Sequence, residues 1–278
     1  MSTTRCVLSE LPLRDGARLR YRDSGAGRPL VLIHGWGASG AFFERQAALA
    51  AQGWRLIVPD LRGHGASPDP DHAPTIAMLA ADLRELIVHL DLDRYSLVGW
   101  SMGAMVAWDY LRSHGTAQLD KLSVVDMTAK ITTDAEWEHG LAGGYPATLA
   151  RQTADTVRDT WERYAKLSAG RLFARGASPA AALLEQFAGI MRANAAEGLA
   201  QLWIDMARQD YRALLPTLGE QCQYIYGKES RLYNEATFVH LARLTGTSRL
   251  VGIAGAGHVP QWEQPQAFAA ALLSHLDG

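Results

Sequence analysis

Cysteine is scarce: 278 residues carry only two, Cys6 and Cys222, near opposite ends of the chain. Such usage excludes a disulfide framework and fits a reducing compartment, so cytoplasm is the expected location. Long hydrophobic runs are missing as well. No apolar stretch approaches the ~20 residues of a membrane helix, and Met1-Ser2-Thr3-Thr4-Arg5 lacks the apolar core of a secretion signal. Neither sign of charge dominates: 27 Lys and Arg face 29 Asp and Glu, a net charge of −2. Neither nucleic acid nor an anionic membrane is therefore an expected partner. There is no internal repeat of about 20–50 residues and no low-complexity segment. Metal-site spacings, a P-loop and a dinucleotide fingerprint after the first strand are all absent; Gly255-x-Gly257 is too short and too late to be one. No metal or other cofactor is implied.

What is present is an alternation of short apolar strands and amphipathic helices. Strand patterns recur at Ala17–Tyr21, Leu30–Ile33, Leu56–Val58, Ser96–Val98, Leu122–Val125, Tyr224–Tyr226 and Leu250–Ile253. Helical patterns lie between them at Ala41–Ala51, Ile76–Leu90, Met102–Ser113 and Glu235–Thr245. This order predicts an α/β fold with a mostly parallel sheet covered on both faces, and an active site at the carboxyl ends of the strands. Cys222 opens a strand pattern and reads as a small buried hydrophobe. The length suits one α/β domain with an insertion. Between Asp126 and Pro216 the strand signal stops. Leu149, Thr153, Val157, Trp161 and Tyr164 share one helical face; Ser178-Pro179 reads as the N-cap and first-turn proline of a second helix carrying Leu183, Leu184, Phe187, Ile190 and Met191; a third helix runs through Leu199, Trp203 and Met206.

The most informative segment is Gly99-Trp100-Ser101-Met102-Gly103, directly after the apolar run Tyr95-Ser96-Leu97-Val98. A serine on a tight strand-to-helix turn is pushed out of the sheet, and the N–H of the next residue is aimed at the same spot. Three further segments accompany it in fixed order. Leu30-Val31-Leu32-Ile33-His34-Gly35-Trp36-Gly37 ends a buried strand in a glycine-rich turn, where a second backbone N–H can face the serine. Leu56 to Ser67 is a strand followed by a glycine-punctuated loop. Leu250 to His258 delivers a histidine near the C-terminus, before a helix with Phe268, Leu272, Leu273 and Leu276 on one face.

Together these segments resemble the α/β-hydrolase superfamily, in its branch of esterases, perhydrolases, C–C hydrolases, dehalogenases and epoxide hydrolases. The resemblance spans about Leu11 to Ile131 and Leu214 to Gly278. It implies an α/β-hydrolase core at 1–126 and 217–278 and a helical cap insertion at 127–216. A serine hydroxyl needs a neighbouring base, and His258, in a segment similar to the family's histidine loop, is the expected one. His34 is implied to be structural and His64 lies in the glycine loop, while His72, His89, His114, His139, His240 and His275 are expected to be solvated. The backbone N–H groups of Trp36 and Met102 are the implied oxyanion donors.

The third triad member departs from the commoner pattern. Three residues after the glycine of Tyr226-Gly227 stands Ser230, which holds no charge. The expected third member is Asp126, ending the strand after the nucleophile helix; the alternative is Glu229, if the loop is shifted by one. The expected substrate pocket includes Trp100, Phe187 and Trp203, with Leu183, Met191 and Met206 nearby.

Dehalogenases and epoxide hydrolases of this fold carry aspartate at the elbow, so Ser101 argues against both. The expected activity is hydrolysis of a carboxylic ester, lactone or thioester of a small, largely apolar substrate through an acyl-enzyme on Ser101. Perhydrolysis, acyl transfer and C–C cleavage would use the same triad. A ligand receptor on a hydrolase scaffold is the rival from another class, and turnover of a generic ester separates it from an enzyme. A small-molecule substrate is the one partner expected; oligomeric state is not legible.

Overall fold

The fold rests on a computed structural model that describes residues 7–67 and 73–278; Cys6 and His72 lie outside the described residues. Eight strands form one sheet in the order β1-β2-β4-β3-β5-β6-β7-β8. β1 (Val7–Pro12) and β2 (Arg18–Asp23) pair antiparallel, and β2 pairs antiparallel with β4 (Trp54–Asp60). Every other pairing is parallel, through β3 (Arg28–Ile33), β5 (Tyr95–Trp100), β6 (Leu119–Val125), β7 (Cys222–Gly227) and β8 (Leu250–Ile253). The mostly parallel α/β architecture expected from the sequence is thus the one observed. The β1 strand was not anticipated. It lies at the sheet edge with Val7 61% and Leu8 51% exposed, so it has little apolar face to betray it, and its backbone pairing holds it in place.

Alternation along β3 explains the two-sided core. Val31 and Ile33 join Leu97 on one face, beneath α1 (Ile76–His89) and α2 (Met102–His114). Leu30 and Leu32 join Val98 on the other, beneath the 3-10 helix Gly40–Gln52 and α8 (Pro265–Leu276). Cys222 is fully buried, and desolvation pushes its thiol up to about 12. α1 starts where Thr75 Oγ1 accepts the Met78 N–H at 3.2 Å, and it buries Ile76, Leu79, Leu83 and Leu86. α6 (Glu235–Thr245) follows β7, and the short α7 (Pro260–Glu263) precedes α8.

Between β6 and β7 the chain builds α3 (Leu149–Leu172, broken at Thr160), α4 (Ala181–Arg192) and α5 (Ala196–Arg208). α3 packs on both of the others. Its buried stripe is made of Ala150, Ala154, Val157, Ala165 and Ala169, while Leu149 stays exposed. Small residues let the helix axes approach closely, which an apolarity pattern weighted to large side chains overlooks. α4 begins later than Ser178-Pro179 suggests. The Ala180 carbonyl accepts the first-turn N–H groups of Leu183 and Leu184, so Ser178 stands two residues too early to cap it. Among the described residues no helix is long and apolar enough to cross a membrane.

Candidate active site

The parallel register sets the carboxyl ends of β3, β5, β6, β7 and β8 side by side. Trp100 pairs with Val125, Val125 with Ile225, and Gly227 with Ile253. The next residues along the chain therefore meet at one rim. At the end of β5 the chain turns through Ser101 with φ 53° and ψ −127°, a conformation that side-chain-bearing residues rarely adopt. Its N–H donates to the Val125 carbonyl at 2.9 Å, which anchors the turn to β6. The flanking glycines are required by contact. A Cβ on Gly103 would lie 2.1 Å from the Ile33 carbonyl oxygen, and one on Gly99 would lie 2.5 Å from Ala104 Cα.

Asp126 leaves β6 with φ 45°, its N–H donating to the Ile225 carbonyl at 2.8 Å. Its carboxylate is fully buried, and three donors satisfy it. His258 Nδ1 lies 2.6 Å and Ser230 Oγ 2.8 Å from Oδ2, and the Gly227 N–H lies 3.3 Å from Oδ1. Burying an ionised carboxylate is tolerable only with such partners. With the Asp126 carboxylate as acceptor, His258 Nδ1 is the donor of this contact. Ser230 thus contributes a hydroxyl to the carboxylate that follows the neighbouring strand. Glu229 is turned elsewhere: Oε2 accepts the Ala256 N–H at 3.2 Å and makes no bond to His258.

The His258 loop is clamped from three sides. Its N–H donates to the Leu172 carbonyl at the end of α3 (2.7 Å), and its carbonyl accepts Trp100 Nε1–H at 2.6 Å. Glu263 accepts the N–H groups of Gly257 (2.6 Å) and Ala174 (2.8 Å), and burial raises the pKa of its carboxyl. Trp100 is therefore a buried strut behind the histidine, stacked on Phe42 at 4.9 Å, and it does not line the cavity. Met102 opens α2, where a first-turn N–H has no acceptor within the helix. Among the described residues the Trp36 N–H donates to no other group. Gly35, one residue before it, approaches so closely that a Cβ there would lie 3.0 Å from Ser101 Cβ.

Ser101 and His258 open on one cavity of about 680 Å³. Trp36, Met191, Trp203 and Met206 give it apolar walls, and Tyr145, Thr153 and Asn234 add polar ones. Trp203 Nε1 donates to Tyr145 Oη at 2.7 Å, and Trp36 Nε1 donates to the Leu199 carbonyl at 3.0 Å, so both indoles are held in place. Phe187 was expected here and is instead fully buried between Phe42, Phe173 and Trp262, because α4 turns it toward the 3-10 helix and α7 rather than toward the cavity. Leu183 does not line the cavity either.

The remaining histidines sort by burial. His34 donates from Nδ1 to the Gly35 carbonyl (2.8 Å) and accepts the Leu61 N–H at Nε2 (2.9 Å), so it ties two loops together, and burial lowers its pKa. His64 is buried beside it, its pKa pushed down to about 3 by desolvation first and His34 second. His89 and His114 are exposed, and His139 stacks on His240 at a ring separation of 4.0 Å, both half-buried. His275 is not solvated as expected. The last turn of α8 tucks it against the sheet, Nε2 donates to the Gln221 carbonyl at 3.0 Å, and burial pushes its pKa down to about 4.

The sequence model of the alpha/beta hydrolase family matches residues 30–271. The pimeloyl-[acyl-carrier protein] methyl ester esterase of Stenotrophomonas maltophilia is 30% identical over 275 residues, covering 92% of this chain and 95% of that protein. Among solved structures, a thermophilic esterase from Thermogutta terrifontis superposes with a TM-score of 0.84 at 27% identity over 98% of each chain. The esterase EaEST from Exiguobacterium antarcticum reaches a TM-score of 0.88 at 24% identity, covering 98% of this chain and 100% of that one, a likeness of fold. The chain belongs to the alpha/beta hydrolase family and is an enzyme of the serine hydrolase type.

Proposed function

We propose that the protein hydrolyses a carboxylic ester with an apolar acyl chain through an acyl-enzyme on Ser101. One observation carries the reading: the buried His258–Asp126 contact of 2.6 Å opens, with Ser101, on a single cavity. Nε2 of His258 takes the Ser101 hydroxyl proton as Oγ attacks the carbonyl carbon. The carbonyl π electrons pass to oxygen, which receives the N–H groups of Trp36 and Met102; each such donor is typically worth about 3–4 kcal/mol in the transition state. As the C–O bond breaks, His258 returns the proton to the leaving alkoxide. Water then attacks the acyl-enzyme by the same relay, and the acid leaves. Asp126 holds the tautomer and stabilises the imidazolium. The esterase relatives support ester hydrolysis.

Residues 127–216 act in this reading as a cap that selects the acyl chain. Support comes from Trp203, Met191 and Met206 of α4 and α5, which share the cavity wall with Ser101. A fluorophosphonate is expected to label Ser101 alone, read by mass spectrometry of the digested adduct. An adduct on another serine, or none, overturns the reading. Ser101→Ala, which deletes one oxygen, is expected to remove turnover of a p-nitrophenyl ester while the far-ultraviolet circular dichroism stays unchanged.

A further inference from the structure

The lining of the cavity is of two kinds. Met191, Met206 and Tyr233 are buried in its wall, whereas Arg171, Arg175 and Arg231 line it and are exposed to solvent. Buried apolar side chains and three exposed arginines thus share one cavity, and no aspartate or glutamate lines it. Among the described residues none of the three arginines forms an ion pair; in the insertion Arg158, Arg192 and Arg212 do, and Arg151, Arg163 and Arg208 do not. The side chain of Arg175 is held by the Ser230 carbonyl, which accepts from Nη2 at 2.8 Å. Nearby carboxylates are engaged by backbone: Glu229 accepts from Ala256, and Glu263 from Gly257 and Ala174. Asp126 is buried behind His258.

Like charges gathered at one opening repel each other and focus a positive potential into it. That arrangement is balanced when a bound ligand supplies the counter-charge, and guanidinium groups suit carboxylate and phosphate oxygens by geometry. We infer that the acyl chain of the substrate ends in an anionic group, a carboxylate or a phosphate, seated among Arg171, Arg175 and Arg231 while the ester lies at Ser101. The inference rests on the reading of Ser101 as nucleophile. It narrows the substrate to esters that are apolar in the middle and charged at the far end. A cavity of 680 Å³ falls within the roughly 300–1,000 Å³ usual for small-ligand sites.

The test compares kcat/KM for monomethyl esters of a series of dicarboxylic acids with the matched dimethyl esters, and for methyl esters of ω-phosphooxy acids with their neutral hydroxy counterparts. At low salt the wild type is expected to prefer the charged member by about tenfold or more, with the preference in KM and falling as salt screens it. Arg171→Gln, Arg175→Gln and Arg231→Gln are each expected to reduce the charged-to-neutral ratio by about two- to fivefold, as for exposed ion pairs. A preference confined to one series identifies the anion as carboxylate or as phosphate. Ratios below about two in both series, unchanged in the triple arginine variant, overturn the inference while leaving ester hydrolysis intact. Calorimetry on Ser101→Ala separates the two readings. If that variant binds the charged esters more tightly than the neutral ones while wild type turns over neither, the anion seat stands and the hydrolytic reading fails.

Discussion

In the proposed mechanism Asp126 is the residue that orients His258. Its positive φ and three hydrogen-bond donors hold a buried carboxylate against His258 Nδ1, so its charge and its shape do separate work. Asp126→Asn keeps the shape and removes the charge, and the amide then admits the wrong imidazole tautomer. In a serine protease the corresponding change lowers kcat by about 10⁴, or roughly 5 kcal/mol, and a loss of that order is expected here. Glu229→Gln is expected to stay within about tenfold of wild type, because that side chain bonds a backbone N–H and not the histidine. Steady-state kinetics of both variants check the assignment; a large loss in Glu229→Gln beside a near-normal Asp126→Asn reverses it. Ser230→Ala removes one of three donors and is expected to lower kcat by about tenfold with little change in KM. From sequence Asp126 is the expected acid with Glu229 as its alternative, since the side-chain direction at each loop depends on which neighbouring strand pairs beside it.

At the level of elements, the insertion divides into residues that face the cavity and residues that pack on the helices around it. Trp203 on α5 lines the cavity, and Phe187 on α4 is wedged among Phe42, Phe173 and Trp262. Trp203→Ala is expected to shift KM and the preferred acyl length more than kcat on the smallest esters. Phe187→Ala is expected to cost about 3–5 kcal/mol of stability, seen as a lower Tm, with the order of acyl preference kept. A change of preference in Phe187→Ala alone would contradict this division. The sheet side also carries a pH signature at α8. His275, held neutral by burial at a pKa of about 4 against an ordinary 6.5, resists a proton that the unfolded chain accepts. Below about pH 6.5 the unfolded state binds more protons, so stability falls as pH drops toward 4. His275→Gln is expected to flatten that part of the Tm-against-pH curve, and an unchanged slope would assign the acid sensitivity to His64 and His34.

For the whole molecule, the apolar rhythm of the strands and the five residues Gly99 to Gly103 were enough to settle the class of fold and the position of the serine turn. Those features are local: period-two burial, a glycine where a Cβ would strike a carbonyl, a histidine after the last strand. The β1 edge, the true start of α4, the burial of His275 and the division between Trp203 and Phe187 were not legible. Each depends on which surface a segment meets, and chain-local patterning does not carry that. The contact of Ser230 with Asp126 joins residues 104 apart in sequence, and that of His258 with Asp126 joins residues 132 apart. The sequence by itself determined a parallel α/β sheet with a serine on a strained turn. Only the tertiary structure decided which carboxylate faces His258 and which arginines share its cavity, because strand register and helix packing, not spacing along the chain, bring those groups together.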